Sequence, residues 1–560
     1  MPIKSPYPWM DLPEVNILSH IFPENQKPDE DPIWIDSKNP ENSLSPAQAL
    51  PWIKRLTFGL QRLGLERGDV AMIHTPNHIF VPVAYLGIVA GGFVFSGANP
   101  GYTVSEVVHQ LKNTGAKCIL VHPKLVETTL KAARIAGVPE SRIFQFSDSE
   151  AAPAQHGGVR DWRAMIGTEA DAATYRWPEL TPAEARATVA TINYSSGTTG
   201  LPKGVCVSHA NIIANLEQTI VMRYAHKPYP VGRRPAERWV GFLPLYHAYG
   251  QLYVMLMSVR LRAPVYIMTE FRYDEFLAAI GRYRITSLQA APPILVMLSK
   301  RPETARYDLS SLRDVLCGGA PLSRELQNEC QKRFDVQINQ GWGMTEVTCG
   351  ALHVPGGVRD LSGSVGRLDP NCEAKLVDEQ GKEVPAGQPG ELCVRGPQNC
   401  LGYWRNEAAT RELFDEEGYL RSGDIAVANE DGYFWIVDRK KELIKVNALQ
   451  VAPAELEGVL LEHEHIADAA CVGITVHGEE YPRAYVVPHE ASRGKVTEEH
   501  IHQYMEERVA KHKRLAGGIV FIDEVPKLAS GKIQRKTMRE WSKRDAAEIE
   551  KQGKKPRPRL

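Results

Sequence analysis

The sequence has almost no excess of either charge. Its 66 Lys and Arg residues nearly balance 67 Asp and Glu residues, which gives a formal net charge of −1 at pH 7. A nucleic-acid-binding protein usually shows a basic excess or a basic stripe. The balance therefore argues against a nucleic-acid partner.

Cysteine is also scarce and unpatterned. Nine cysteines are scattered over 560 residues without a CxxC pair or a regular spacing. Disulfide scaffolds and zinc sites show denser or regularly spaced cysteines. We therefore expect a reduced, intracellular protein with no zinc site.

A secretory signal and a membrane span are missing as well. The N-terminal segment MPIKSPYPWM has no apolar core region. Residues 79–98 are apolar over about the length of a bilayer span, but Pro82 and the Gly91–Gly92 pair interrupt them. The pattern predicts a buried helix that turns into a buried strand.

The C-terminus ends in Pro558-Arg559-Leu560 after a basic, Pro-rich stretch. This tripeptide resembles the S-K-L peroxisomal address, which an import receptor recognises as a free tail. The alternative is a solvated basic end that stops at Leu by chance. We expect a peroxisomal protein that contacts this receptor, and otherwise a cytoplasmic one.

A chain of 560 residues is too long for one core, so two or more domains are expected. Residues 1–440 mostly alternate short Val/Ile-rich runs with helical stretches, which predicts a large α/β domain with parallel strands. Residues 363–395 are rich in Gly-marked hairpin turns and predict a small barrel or distorted sheet within it. Residues 441–560, which begin within the charged cluster at 438–445, predict a small mobile α+β domain whose final helix precedes residue 525.

Residues 194–204, YSSGTTGLPKG, do not fit a Walker loop, because Lys203 follows Gly200 at three residues and Gly204 stands where Ser or Thr is needed. The flanking residues predict a strand on each side, followed by a helix capped at Ser208. Glycine lets backbone N–H groups approach an anion, and hydroxyls and an ammonium add donors. We therefore predict a phosphate-binding loop rather than a flexible surface turn. Its candidate residues are Ser195, Ser196, Gly197, Thr198, Thr199, Gly200 and Lys203.

Together with CGGAPL at 317–322, NQGWGMTE at 339–346, RSGD at 421–424 and SGKIQRK at 530–536, this loop resembles the adenylate-forming acyl-CoA synthetase family. The closest resemblance is to its 4-coumarate–CoA ligase-like branch, including fungal and peroxisomal members. It covers nearly the whole chain, and the motifs occur in the family's order and spacing. The resemblance implies ATP, Mg²⁺ and coenzyme A as cofactors.

The resemblance also implies roles for single residues. Thr345 would bond the α-phosphate, and Glu346 would hold Mg²⁺, a cation that favours carboxylate and phosphate oxygens. Asp424 would accept both ribose hydroxyls, and Arg439 would contact the ribose or a phosphate. The residues implied around adenine are Gly318, Gly319, Ala320, Pro321, Gln340, Gly341 and Trp342. The family usually has Tyr where this chain has Trp342, and we expect stacking to survive.

The same resemblance makes Lys532 the adenylation lysine, because charge builds on the α-phosphate and on the attacking carboxylate. Lys441 would be the hinge residue. Lys445 and Gln450 match positions near the coenzyme A path. In that region Asn447 and Ala448 replace a Lys-Gly pair of the plant enzymes. Glu270 replaces a plant-type Lys, so two positive charges are missing near the expected coenzyme A site.

For the acid, the resemblance implies that His247 steers the carboxylate and that Tyr249, Gly318 and Gly343 line the pocket. These residues suggest an elongated, mostly apolar pocket for an aryl, arylpropenoic or medium-chain acid. We predict an ATP-dependent acid–thiol ligase that forms an acyl-adenylate and then an acyl-CoA thioester. An adenylating enzyme with another acceptor, a carrier-protein thiol or a luciferase-like oxygenation, remains the alternative. The joint presence of Lys203, Glu346, Asp424, Arg439 and Lys532 argues against a non-catalytic binding protein.

Overall fold

The computed structural model describes residues 2–148, 157–195, 202–446, 449–528 and 531–552. Its first sheet has eight strands, mutually parallel from Val189–Ser195 to Arg160–Asp161, with two antiparallel strands at the other edge. In spatial order the strands are Gly402–Tyr403, Lys203–Ser208, Val189–Ser195, Val94–Ala98, Val70–His74, Cys118–Val121, Ile143–Gln145 and Arg160–Asp161.

A second sheet has nine strands with a parallel centre and antiparallel edges. In spatial order these are Arg367–Leu368, Leu352–His353, Gln337–Trp342, Asp314–Cys317, Ser287–Ala290, Trp239–Gly241, Val265–Ile267, Trp34–Asp36 and Ser43–Leu44. One apolar core joins the two sheets and includes Trp34, Phe95, Trp239 and Met255.

Helices cover and separate these sheets. The longer ones are Pro46–Arg62, Val81–Ala90, Val104–Thr114, Val126–Ala136, His209–Tyr224, Tyr273–Tyr283, Pro292–Lys300, Arg324–Phe334 and Glu407–Leu413. Shorter helices are Ile17–Ile21, Glu169–Thr174, Pro182–Ala187, Ala248–Gly250 and Ser258–Arg260, and Gln251–Met257 forms a π-helix. The predicted buried helix and strand within residues 79–98 are confirmed as Val81–Ala90 and Val94–Ala98. In the part of the chain that the structure describes, none of the helices is both long and apolar enough to cross a bilayer.

The Gly-rich region forms a third sheet, antiparallel throughout, with the order Ile3–Lys4, Glu373–Val377, Gly390–Arg395, Leu420–Ala428 and Phe434–Arg439. The predicted sheet is present, but it extends to Arg439 and takes a strand from the N-terminus. Hairpin turns mark only neighbouring strands, so the distant N-terminal strand leaves no local signal.

The C-terminal part is built from a hairpin, Ile444–Val446 with Leu449–Val451, and a sheet of Ile466–Val476, Glu479–Pro488 and Ile519–Phe521. Its helices are Pro453–Leu461, Glu498–Glu506 and Arg535–Lys551. The expectation that the last helix precedes residue 525 is wrong, because helix Arg535–Lys551 follows that residue. That segment is strongly charged, and its small apolar face packs on strand Ile466–Val476 through Ala546. The division at residues 440 and 441 stays a prediction.

Arg535, three residues after Lys532, anchors the end of the chain. Its guanidinium donates to both carboxylate oxygens of Glu457 at 2.6 and 2.9 Å and also contacts Glu442 at 2.5 Å. All three side chains are about nine-tenths buried. Burial raises the pKa of both glutamates and the Arg535 charge opposes that shift, so the three groups depend on one another. It ties the Lys532 segment to helix Pro453–Leu461 and to the charged cluster.

Candidate active site

The two ends of the predicted phosphate loop lie side by side. Strand Val189–Ser195 pairs antiparallel with Lys203–Ser208, so Ser195 and Lys203 are opposite each other. Ser208 caps the following helix by accepting from the Asn211 N–H, as predicted. The candidate residues Ser196, Gly197, Thr198, Thr199 and Gly200 lie outside the described residues.

Lys203 is linked to Glu346 by a residue that sequence reasoning missed. The Lys203 ammonium lies 4.8 Å from the ring centroid of Tyr403. The Tyr403 hydroxyl donates to the Glu346 carboxylate at 2.8 Å, and Glu346 is 5% exposed. Tyr403 stands in the edge strand Gly402–Tyr403, 57 residues from Glu346, and no motif singles it out. This strand pairing therefore brings Lys203, the lysine of the phosphate loop, close to Glu346, the candidate metal ligand.

Glu346 fits a nucleotide-bound Mg²⁺ rather than a metal held by protein alone. Among the described residues, no group of three or more His, Cys, Asp and Glu side chains is arranged to hold a metal ion. Mg²⁺ at nucleotide sites is usually bound by one or two carboxylates together with phosphate oxygens and water. A single buried carboxylate beside the phosphate-loop lysine matches that pattern.

The candidate adenine residues follow two neighbouring parallel strands. Cys317 and Gln340 are register partners, so Gly318–Pro321 and Gly341–Trp342 lie together where these strands end. At Gly343 a Cβ would come within 1.7 Å of the Cys349 carbonyl oxygen, so only glycine fits. The carboxyl ends of parallel strands are the usual place for a ligand crevice.

Asp424 is held by two partners. The Trp342 indole N–H donates to Asp424 Oδ2 at 2.8 Å, and Arg439 Nε lies 3.4 Å from Oδ1. Asp424 and Arg439 are also register partners in the third sheet. Burial raises the pKa of Asp424, whereas Arg439 and the Trp342 N–H lower it. A carboxylate has about four acceptor positions, so Asp424 retains capacity for ribose hydroxyls.

Lys532 enters this site from the C-terminal part of the chain. Its Cε lies 3.8 Å from the position of a Cβ on Gly319, and the Gly531 backbone packs on Pro293. Burial lowers the pKa of Lys532, Arg439 lowers it further, and the charges of Asp424 and Glu346 oppose both. The structure therefore brings together Lys532, Asp424 and Glu346, as the sequence predicts.

His247 and Thr345 line one small pocket with Asn193 and the tyrosines Tyr102, Tyr194 and Tyr246. His247 Nδ1 accepts from the Tyr249 N–H at 3.3 Å, which assigns the ring proton to Nε2. Burial, aided by the Lys532 charge, lowers the pKa of His247 to about 3. His247 is therefore a neutral N–H donor that is suited to a carboxylate.

Tyr249 lies beside the ends of the same strands. Its hydroxyl donates to the Leu316 carbonyl at 3.1 Å, and its ring packs edge-on against Tyr253 at 5.0 Å. Leu316 precedes the candidate residue Gly318 by two positions. Tyr249 is thus fixed as a wall residue at the place predicted for the acid.

The candidate coenzyme A residues are not brought to this site. Lys445 and Gln450 are register partners in the exposed hairpin. Glu270 pairs with Arg272 on the surface. The predicted hinge residue, Lys441, lies in the exposed turn before the hairpin. Asn447, Ala448 and Pro558-Arg559-Leu560 lie outside the described residues. The structure thus holds the adenylation residues together, and the hairpin residues lie elsewhere.

Comparisons with known proteins agree with this geometry. The model of the AMP-binding enzyme family matches residues 24–404, and that of the AMP-binding enzyme C-terminal domain matches residues 455–532. Phenylacetyl-CoA ligase epaB of Aspergillus niger is 37% identical over 96% of this chain and 98% of that protein. The 4-coumarate–CoA ligase 4 of Arabidopsis thaliana is 35% identical over 87% of this chain and 84% of that protein.

The fold is also that of a solved enzyme structure. The anthranilate CoA ligase AuaEII in complex with anthranoyl-AMP superposes with a TM-score of 0.82 and 24% identity, over 97% of this chain and 99% of that chain. At this identity the likeness establishes the fold, including the large and small parts, and confirms the predicted α/β and α+β architecture.

Replacing Trp342 by Phe keeps an aromatic ring but removes the donor to Asp424. A hydrogen bond to a charged group contributes ~1.5–3 kcal/mol, so we expect the Kd of ATP to rise about tenfold or more in calorimetry. Trp435→Phe is the matched control, since the Trp435 indole donates to the Ser362 carbonyl instead. If Trp342→Phe binds ATP as tightly as the parent protein, Trp342 does not position Asp424.

Proposed function

The chain belongs to the AMP-binding enzyme family, and we propose that the site around Lys532 performs its acid activation. The protein is an ATP-dependent acid–CoA ligase, which forms an acyl-adenylate and pyrophosphate and then an acyl-CoA thioester and AMP. The observation that carries the site assignment is the position of Lys532. It reaches from the C-terminal part to Gly319, within the fields of Asp424 and Glu346.

In the first step the acid's carboxylate attacks the α-phosphorus of ATP. The neutral His247 donates its Nε2–H to the carboxylate and orients it, while Thr345, on the same pocket, bonds the α-phosphate. The Lys532 ammonium stabilises the negative charge that builds between the two groups. Asp424, held by Trp342 and Arg439, fixes the ribose.

Departure of pyrophosphate involves the other end of the site. We assign Lys203, on the strand that closes the phosphate loop, to the β- and γ-phosphates. Support comes from Tyr403, which contacts the Lys203 ammonium and donates to the Glu346 carboxylate. Glu346, together with phosphate oxygens, would hold Mg²⁺, which would supply positive charge to neutralise the leaving group. Lys203 therefore supplies the cation for the bond that breaks, and Lys532 supplies the cation for the bond that forms.

The second step needs a different arrangement. On this proposal Lys532 lies where the coenzyme A thiol must approach the acyl-adenylate, whereas the hairpin with Lys445 and Gln450 is exposed. We therefore place a rotation of the C-terminal part at Lys441, in the turn between Arg439 and Ile444. Rotation withdraws Lys532 and presents the hairpin to the acyl-adenylate.

The acid is an aryl, arylpropenoic or medium-chain acid on this proposal. Support comes from Tyr249, Gly318 and Gly343, which the sequence predicts to line the acid pocket, and from the names of the two relatives.

The C-terminal Pro558-Arg559-Leu560 supports a peroxisomal location, which a fluorescent fusion with and without residues 559–560 checks. Loss of punctate localisation on truncation is expected, and unchanged localisation would exclude the address.

A panel of these acids tests the proposal. Purified protein with ATP and Mg²⁺ should release pyrophosphate with at least one acid, and mass detection should find the matching acyl-CoA only when coenzyme A is present. Pyrophosphate release with no thioester at any coenzyme A concentration would favour the carrier-protein or luciferase-like alternative. No pyrophosphate release with any acid would contradict acid activation altogether.

The lowered pKa of Lys532 sets an alkaline limit to the first step. Only the ammonium form stabilises the developing charge, so ATP–pyrophosphate exchange should decline as pH rises through a pKa below the ordinary 10.5. Arginine stays charged over this range. The residual exchange of Lys532→Arg should therefore lack this decline. The same alkaline decline in both proteins would assign it to another group.

A further inference from the structure

One face of helix Val104–Thr114 bonds to both ends of the predicted phosphate loop. His109 and Asn113 are four residues apart on this helix, so they lie one turn apart on the same face. His109 Nε2 donates to the Pro202 carbonyl at 3.0 Å, and Asn113 Oδ1 accepts from the Tyr194 hydroxyl. A carbonyl oxygen can only accept, which assigns the His109 ring proton to Nε2. The helix therefore contacts the chain on each side of the loop.

These two bonds lie one residue away from the pair Ser195 and Lys203. Tyr194 directly precedes Ser195, Pro202 directly precedes Lys203, and Ser195 and Lys203 are register partners. The Pro202 carbonyl and the Lys203 Cα belong to one planar peptide unit. The bond that orients this carbonyl therefore also orients the backbone of Lys203.

The packing at Gly204 brings the Asn113 side chain close to the other neighbour of Lys203. A Cβ on Gly204 would lie 3.5 Å from Asn113 Oδ1, 3.4 Å from Tyr194 Cζ and 2.6 Å from Ile192 Cγ2. The bonded pair of Asn113 and Tyr194 therefore lies against the Gly204 backbone. A Ser or Thr here, as in a Walker loop, would displace Ile192 and crowd this pair. The packing thus gives a physical reason for the glycine.

The end of the same helix also holds the strand of Tyr403. The Arg405 guanidinium donates to the Asn113 carbonyl at 3.3 Å, and a cation is favourable at the C-terminal end of a helix. Arg405 follows Tyr403 by two residues, and the Tyr403 ring contacts the Lys203 ammonium. Asn113 is thus bonded through its side chain to Tyr194 and through its backbone to the segment that holds the lysine ammonium.

We propose that His109 and Asn113 are positioning residues for Lys203. They act through Pro202 and Tyr194 and set the Lys203 backbone before ATP binds, so less conformational freedom is lost on binding. The inference rests on the proposed function, because it takes Lys203 as the cation for the β- and γ-phosphates. The effect of both residues is therefore confined to phosphates that ATP has and AMP lacks.

A comparison of ATP with AMP tests this directly. Calorimetry measures the Kd of each nucleotide for the parent protein, for His109→Leu and for Asn113→Leu, which each remove one bond. We expect the Kd of ATP to rise about five- to tenfold in each variant and the Kd of AMP to change less than about twofold, since a buried group that loses its hydrogen-bond partner costs this much. His109→Gln keeps an N–H near the position of Nε2 and should restore most of the ATP affinity.

Two further variants sharpen the comparison. His20→Leu is the matched control, because His20 Nε2 bonds the Glu217 carboxylate instead, and both Kd values should stay unchanged. Tyr194→Phe removes the same bond as Asn113→Leu. The double variant of Tyr194 and Asn113 should therefore lose no more ATP affinity than the more affected single variant.

Other outcomes separate this inference from the proposed function. Equal weakening of ATP and AMP binding would overturn it, because the helix then supports the nucleotide site as a whole. Unchanged ATP affinity in both Leu variants would also overturn it. In either case pyrophosphate release by the parent protein leaves the ligase assignment standing, whereas no release with any acid ends both. Thermal unfolding shows which variants are folded, and Tyr194→Phe, which removes only a hydroxyl, decides the outcome if a Leu variant is not.

Discussion

The arrangement depends on placing the ammonium of Lys532 in a buried site that the rest of the chain has already built. Burial works against this charge, and Arg439 repels it, while Asp424 and Glu346 attract it. The triad of Arg535, Glu442 and Glu457 holds the segment that delivers it. On the proposed function Asp424 and Glu346 each have two roles, because they bind the ribose and Mg²⁺ and their charges also stabilise the Lys532 ammonium.

Two sets of contacts extend from this lysine in opposite directions. Trp342 and Arg439 fix Asp424 on the ribose side, and Tyr403 connects Glu346 to Lys203 on the side of the leaving pyrophosphate. The first set joins the second and third sheets, and the second set joins the first sheet to the 3-10 turn Thr345–Val347, which follows the second sheet, so the relative position of the sheets determines the geometry of the site. Burial and the Lys532 charge both lower the pKa of His247, which keeps that ring neutral and able to donate to the acid. Nucleotide site and acid site are therefore electrostatically coupled.

Much of this could be predicted from the sequence, because local patterns and ordered motifs carry it. The helix Val81–Ala90, its following strand, and the strand–loop–strand around Lys203 with its cap at Ser208 all follow from local chemistry. Tyr403 could not be predicted, since its partner lies 57 residues away and only strand pairing joins them. The bond from Trp342 to Asp424 spans 82 residues and was missed for the same reason.

The central claim is that Lys532 serves the first step and must leave before the second. Its most direct test is to measure the two half-reactions of Lys532→Ala separately. ATP–pyrophosphate exchange should fall by about 10²-fold or more, since a single group that stabilises transition-state charge contributes that much. Thioester formation from a supplied acyl-adenylate and coenzyme A should stay near the rate of the parent protein. Equal loss in both half-reactions would contradict the account.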